Sequence, residues 1–122
     1  MRATTLLLVF SAALLATGCG PDCQTSCEKI FGDAAGECDV QIPGKVGESG
    51  RQEMISQCVS HCEQAMRRNG DIGDYSPNER AGGDDDISLE NEKQAALWMD
   101  CVSETSCDNL NKNYCAPVKN YP

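Results

Sequence analysis

The chain has 122 residues, 19 Asp+Glu against 10 Lys+Arg, and a formal net charge of -9 at pH 7. So acidic a chain offers no Lys/Arg patch to displace the counterions of a nucleic acid, which excludes that class of partner. Only 5% of the residues are aromatic while nine are cysteine; a small chain with so little to bury has a thin stability margin, and covalent staples are expected to add to it.

Arg2 is the only charge before Asp22, an apolar run covers 6–15, and Ala16-Thr17-Gly18-Cys19 follows. A basic start, a short apolar stretch and a small-residue cleavage site read as a signal peptide over residues 1–18. The run is too short to span a membrane, which takes roughly 20 apolar residues. Leu15-Ala16-Thr17-Gly18-Cys19 resembles the lipobox of bacterial lipoproteins, with Ala16 where Leu is commonest. The resemblance implies that the Cys19 thiol takes a diacylglycerol and that Cys19 becomes the new N-terminus. The alternative is a soluble secreted protein in which Cys19 is one more disulfide partner. Cleavage leaves residues 19–122 as one disulfide-rich domain, and loss of Arg2 lowers the net charge by one, to -10. Anionic headgroups repel such a body, so the acyl chains must hold it to the membrane. Gly20, in place of the Asp that marks inner-membrane retention in many Gram-negative bacteria, is compatible with the outer membrane.

The remaining elements read as all-α: three to four short helices with long loops. A first helix starts near Pro21-Asp22 and runs to about Phe31, with Cys23, Cys27, Ile30 and Phe31 on one stripe and Gly32 ending it. Glycines and Pro43 make 32–50 a loop, with a brief extended piece at Val40-Gln41-Ile42 and Cys38 pinning it. A second helix opens at Ser49 or Gly50 and runs to about Asn69. Its apolar stripe is Met54, Ile55, Cys58, Val59, Cys62, Ala65 and Met66; Arg67-Arg68 fall in its last turn and Gly70 caps it. Residues 70–87 form an acidic loop in which Asp84-Asp85-Asp86 lacks the spaced ligands of an EF-hand; it reads as solvated loop rather than calcium site. A third helix covers 88–103, capped by Asp86 or Ser88, with Ala95, Leu97, Trp98, Cys101 and Val102 as its apolar content. Trp98, the single tryptophan, is a core anchor. A short fourth helix follows over 107–114, and Pro117 and Pro122 mark an irregular tail.

Nine cysteines leave one over in an exported protein. With Cys19 acylated, eight remain: Cys23, Cys27, Cys38, Cys58, Cys62, Cys101, Cys107 and Cys115. In an oxidising compartment they read as four disulfides. Cys23 and Cys27, and Cys58 and Cys62, are i, i+4 pairs, each on one helix face. Two such faces meet in an antiparallel hairpin through Cys23–Cys62 and Cys27–Cys58. The rival is zinc, whose ligand spacing C-x3-C satisfies but whose thiolates export disfavours. Cys38, Cys101, Cys107 and Cys115 leave three connectivities; Cys38 ties the 28–50 segment to the C-terminal region and the other bond lies within 101–115.

The pattern C-x3-C…C…C-x3-C…C-x5-C-x7-C, with the lipobox and Ala95-Ala96-Leu97 before Cys101, resembles small cysteine-rich lipoproteins of myxobacteria and related gliding bacteria. The resemblance implies a non-enzymatic component of an outer-membrane assembly, such as the contact-dependent gliding apparatus. It implies partners among outer-membrane or periplasmic proteins, beside the membrane itself. Little here supports chemistry. His61, the single histidine, lies off the cysteine stripe in a solvent-facing position. No nucleophile elbow, phosphate loop, H-E-x-x-H or C-x-x-C occurs. No catalytic residue, metal site, cofactor or small-molecule substrate is therefore assigned. Two other classes stay open: a disulfide-rich inhibitor or ligand-binding module, and a redox or metal protein.

Overall fold

The structure, a computed structural model, describes residues 20–42, 44–78 and 89–115. Four helices follow in order among them: α1 Cys23–Phe31, α2 Gly47–Met66, α3 Glu92–Glu104 and α4 Cys107–Asn111. The expected all-α, disulfide-stapled class is what forms.

A capping box starts α1. The Asp22 carboxylate accepts from the Thr25 amide at 2.7 Å, and the Thr25 hydroxyl accepts from the Asp22 amide at 3.2 Å. Beyond Phe31 the chain turns back along the helix end. The amides of Cys38, Asp39 and Val40 donate to the carbonyls of Lys29, Gly32 and Ile30 at 2.7, 2.9 and 2.8 Å. Acceptors that a helix end leaves open are thereby filled. The extended piece expected over 40–42 amounts to a single isolated bridge between Ile42 and Lys45.

The second helix differs from expectation at both ends. It opens at Gly47, two to three residues before Ser49 or Gly50, and its N-cap is Val46, which makes no side-chain cap bond. Gly47 itself has φ +71°, open to glycine at little cost. The helix closes at Met66, so Arg67 is the C-cap and Arg67-Arg68 lie past the last turn. Gly70 caps nothing. The Arg68 carbonyl instead accepts from the Glu92 amide at 2.9 Å, handing the chain on to α3.

The third helix begins later than 88, because Asn91 caps it rather than Asp86 or Ser88, both of which lie outside the described residues. Asn91 Oδ1 accepts from the amides of Lys93 and Gln94, each at 3.1 Å. Ser106 caps α4, which stops at Asn111 short of 114; Asn113, at φ +74°, is already left-handed.

The four disulfides are Cys23–Cys62, Cys27–Cys58, Cys38–Cys107 and Cys101–Cys115. The first two run in opposite senses along α1 and α2, so those helices are antiparallel, as the twin spacing requires. Of the three connectivities left to the other cysteines, the fold takes Cys38 with Cys107. Lys29, late in α1, reaches the last carbonyls of α3, so α3 runs parallel to α1 and packs on both other long helices. The core between them centres on Ile30, Phe31, Met54, Cys58, Trp98 and Val102. Val59 and Leu97 are only half-buried, Met66 is exposed, and Met99 is buried in their stead.

Candidate functional site

The eight cysteines expected to pair are brought together two by two, with S–S distances of 2.03 to 2.15 Å. Sulfurs so bonded carry no thiolate, and zinc or nucleophilic chemistry at these positions would need one. Cys19, the expected lipidation site, lies outside the described residues, as does Asp84-Asp85-Asp86. Among the described residues no three His, Cys, Asp or Glu side chains group as metal ligands.

His61 is exposed on α2, on the solvent side as expected. Trp98 is fully buried, and its Nε1 donates to the Cys115 carbonyl at 3.0 Å. That bond, with the Cys115 amide donating to the Pro77 carbonyl at 2.8 Å, fastens the end of the described chain to α3. Trp98 therefore anchors the core.

The described part of the acidic loop is tied down. Asn91 Nδ2 donates to the Asp71 carbonyl at 2.8 Å and Gln94 Nε2 to the Ile72 carbonyl at 3.1 Å. Lys93 adds an ion pair to Asp71 at 3.1 Å, and Pro77 is buried. Asn91 thus caps α3 and grips residue 71 with one side chain. A Cβ on Gly70 would stand 2.7 Å from its amide nitrogen, which is why glycine sits there.

Sequence reasoning missed Arg51. Its guanidinium meets Glu48 at 2.5 Å, Asp39 at 3.0 Å and Asp33 at 3.4 Å, with the side chain only 16% exposed. Asp39, at φ +46°, turns its carboxylate to the arginine; this hydrogen bond first, then that of Glu48, raises the Arg51 pKa above its ordinary value. The Glu48 carboxyl is held low by Gln52 foremost and then by Arg51. The spacing of Glu48 and Arg51 was legible, but nothing local marks Asp33 and Asp39 as partners. Three carboxylates around one guanidinium outweigh its charge and disfavour an anionic ligand, although its buried Nε has no hydrogen-bond partner among the described residues. The cluster clamps Asp33 and Asp39, in the chain that follows α1, onto α2. Beside it runs an open cleft lined by Phe31, Val40, Ile42, Gly47, Gly50 and Met54, with room for no more than about one water. Pockets that hold small-molecule ligands are roughly 300–1,000 Å³.

No helix among the described residues is long and apolar enough to cross a membrane. No protein-family model, curated protein or solved structure matches the chain.

Proposed function

We propose that this chain is a lipid-anchored outer-membrane protein that acts by binding other proteins within a surface assembly, with gliding motility as the specific setting. One observation carries the reading: Cys23 to Cys115 pair entirely among themselves, so Cys19, at the end of the lipobox, is the one thiol over. A thiol beside a small-residue cleavage site and without a disulfide partner is what acylation takes. The disulfide-stapled, acidic body supports a binding role. Its charge favours a partner with a basic face and an association that weakens with salt.

The test is co-purification from detergent-extracted native membranes, comparing the wild type with Cys19→Ala. A defined set of envelope proteins that accompanies the wild type and is lost with the variant supports a tethered component. Full activity and target binding by the lipid-free form would favour the inhibitor or ligand-binding module instead. Deletion of the gene with motility and surface-apparatus assembly both unchanged would remove the motility setting.

A further inference from the structure

One end of the bundle gathers three helix ends. Cys23, first residue of α1, is bonded to Cys62, one turn before α2 closes, with Cα atoms 5.7 Å apart. The Glu92 amide bonds the Arg68 carbonyl at 2.9 Å, so α3 starts at this end too. Since α1 begins opposite Cys62, nothing of it remains to cover the last turn of α2. Met66, on the same face as Cys62 and about 6 Å further along, is accordingly 42% exposed. Ile72, held to this end by Gln94 through its carbonyl at 3.1 Å, is 39% exposed. The third large apolar side chain exposed among the described residues, Val46, is at the other end of α2.

Arg67 and Arg68 stand between Met66 and Ile72, both exposed and neither in an ion pair among the described residues. Arg51, by contrast, is ringed by three carboxylates. Cys19 is four residues before Cys23, within about 14 Å of chain. We infer that this end, Met66, Arg67, Arg68 and Ile72, lies against the phosphate layer of the membrane that holds the anchor, and so sets the orientation of the body. The inference rests on the lipid-anchor reading. Carboxylates lie here as well: among the described residues, Asp22 caps α1, Asp71 pairs with Lys93, and Glu63, Asp74, Glu90 and Glu92 are close by in the chain. Charge balance at this end is negative too, so the contact rests on geometry: guanidiniums bonding phosphate oxygens two at a time, flanked by apolar side chains at the interface. Its consequence is that the opposite end, with the Arg51 clamp and the start of α2, faces away from the membrane.

The experiment uses the mature lipidated protein in vesicles of phosphatidylethanolamine and phosphatidylglycerol, with lipid-free Cys19→Ala in buffer as reference. Flotation reads the anchor and amide hydrogen exchange reads the orientation. The wild type is expected to float and to exchange more slowly over 66–72, with 44–50 unchanged. The lipidated Arg67→Ser/Arg68→Ser protein is expected to float equally but to lose that protection. Each arginine near an anionic surface shifts such an equilibrium by up to about fivefold, and the pair by up to roughly thirty-fold. A wild type that floats with 66–72 unprotected, or protection that survives the double substitution, overturns the orientation while leaving the anchor intact. Protection seen in native membranes but absent from vesicles overturns it in favour of a protein partner. A wild type that does not float removes the anchor and the orientation together.

Discussion

Lys29 of α1 closes the C-terminus of α3: its Nζ donates to the Val102 carbonyl at 2.5 Å. The same ammonium reaches the carbonyls of Ser103 and Thr105 at 3.1 and 3.0 Å. A cation at a helix C-terminus meets both the open acceptors and the negative end of the dipole. No residue of α3 supplies this cap, for its last turn carries no basic side chain.

Replacement of Lys29 by Met should therefore loosen the end of α3. Hydrogen bonds to a charged group contribute about 1.5–3 kcal/mol each in favourable settings. Burial lowers the Lys29 pKa, which marks a desolvation cost that offsets part of that gain. We expect a net loss of about 1–2 kcal/mol, read as a lower urea midpoint with an unchanged slope. Exchange should quicken first at the amides of 101–105. A midpoint equal to wild type would mean that water replaces the ammonium without cost.

The Cys38–Cys107 bond joins the α1–α2 hairpin to the α3–α4 half across a separation of 69 residues. In the chain-entropy model a loop of that length contributes about 4 kcal/mol, against about 3 kcal/mol for one the size of Cys101–Cys115. Removing Cys27–Cys58 should cost less than its own separation of 31 residues suggests, because Cys23–Cys62 still closes nearly the same loop. The Cys38→Ala/Cys107→Ala protein is thus expected to be the least stable of the paired cysteine variants in thermal unfolding. A larger loss from Cys27→Ala/Cys58→Ala would show that core packing at Cys27 and Cys58 outweighs loop closure.

The hairpin was legible because i, i+4 cysteines on two helices encode both a face and a direction. The core stripe of α2 was legible for the same periodic reason. The helix starts were less so. Ser49 and Ser88 look like caps, yet Val46 and Asn91 serve, and what selects Asn91 is a long-range bond to Asp71 that no local pattern records. Gly50 reads as a helix start but is needed for close approach: a Cβ there would stand 2.7 Å from the Lys45 carbonyl carbon. Nothing in the local sequence sets Arg51 and Lys29 apart from ordinary surface cations. Their roles depend on carboxylates and carbonyls brought up by tertiary folding.

At Asp22 stability is coupled to pH. The Thr25 amide first, and then the Thr25 hydroxyl, hold its carboxyl below the ordinary 3.8. As pH falls the unfolded chain takes the proton first, so the unfolded state binds more protons and stability declines. The contribution is complete above the unfolded value and is lost as pH falls through the lowered folded one. Asp22 is almost wholly exposed, so solvent screens much of the effect. Asp22→Asn should retain the cap at neutral pH and show a shallower loss between about pH 5 and 3. Asp22→Ala should cost about 1 kcal/mol at neutral pH. Identical acid profiles for Asp22→Asn and wild type would assign the acid sensitivity to other carboxylates.

Trp98 bears on the strained end of the described chain. Cys115 sits at φ +57°, a region costly for a side chain larger than glycine. Three restraints hold it there: the bond to Cys101, the Pro77 carbonyl on its amide, and Trp98 Nε1 on its carbonyl at 3.0 Å. Phe in place of Trp98 keeps most of the buried ring but removes the donor, leaving a buried acceptor open at about 1–3 kcal/mol. We expect that loss in denaturant unfolding, together with earlier exchange at Cys115. In a Cys101→Ala/Cys115→Ala background the residue is free to relax, so Trp98→Phe should cost measurably less there, since contacting groups that share one restraint are not additive. Equal costs in the two backgrounds would show that the indole acts through packing alone.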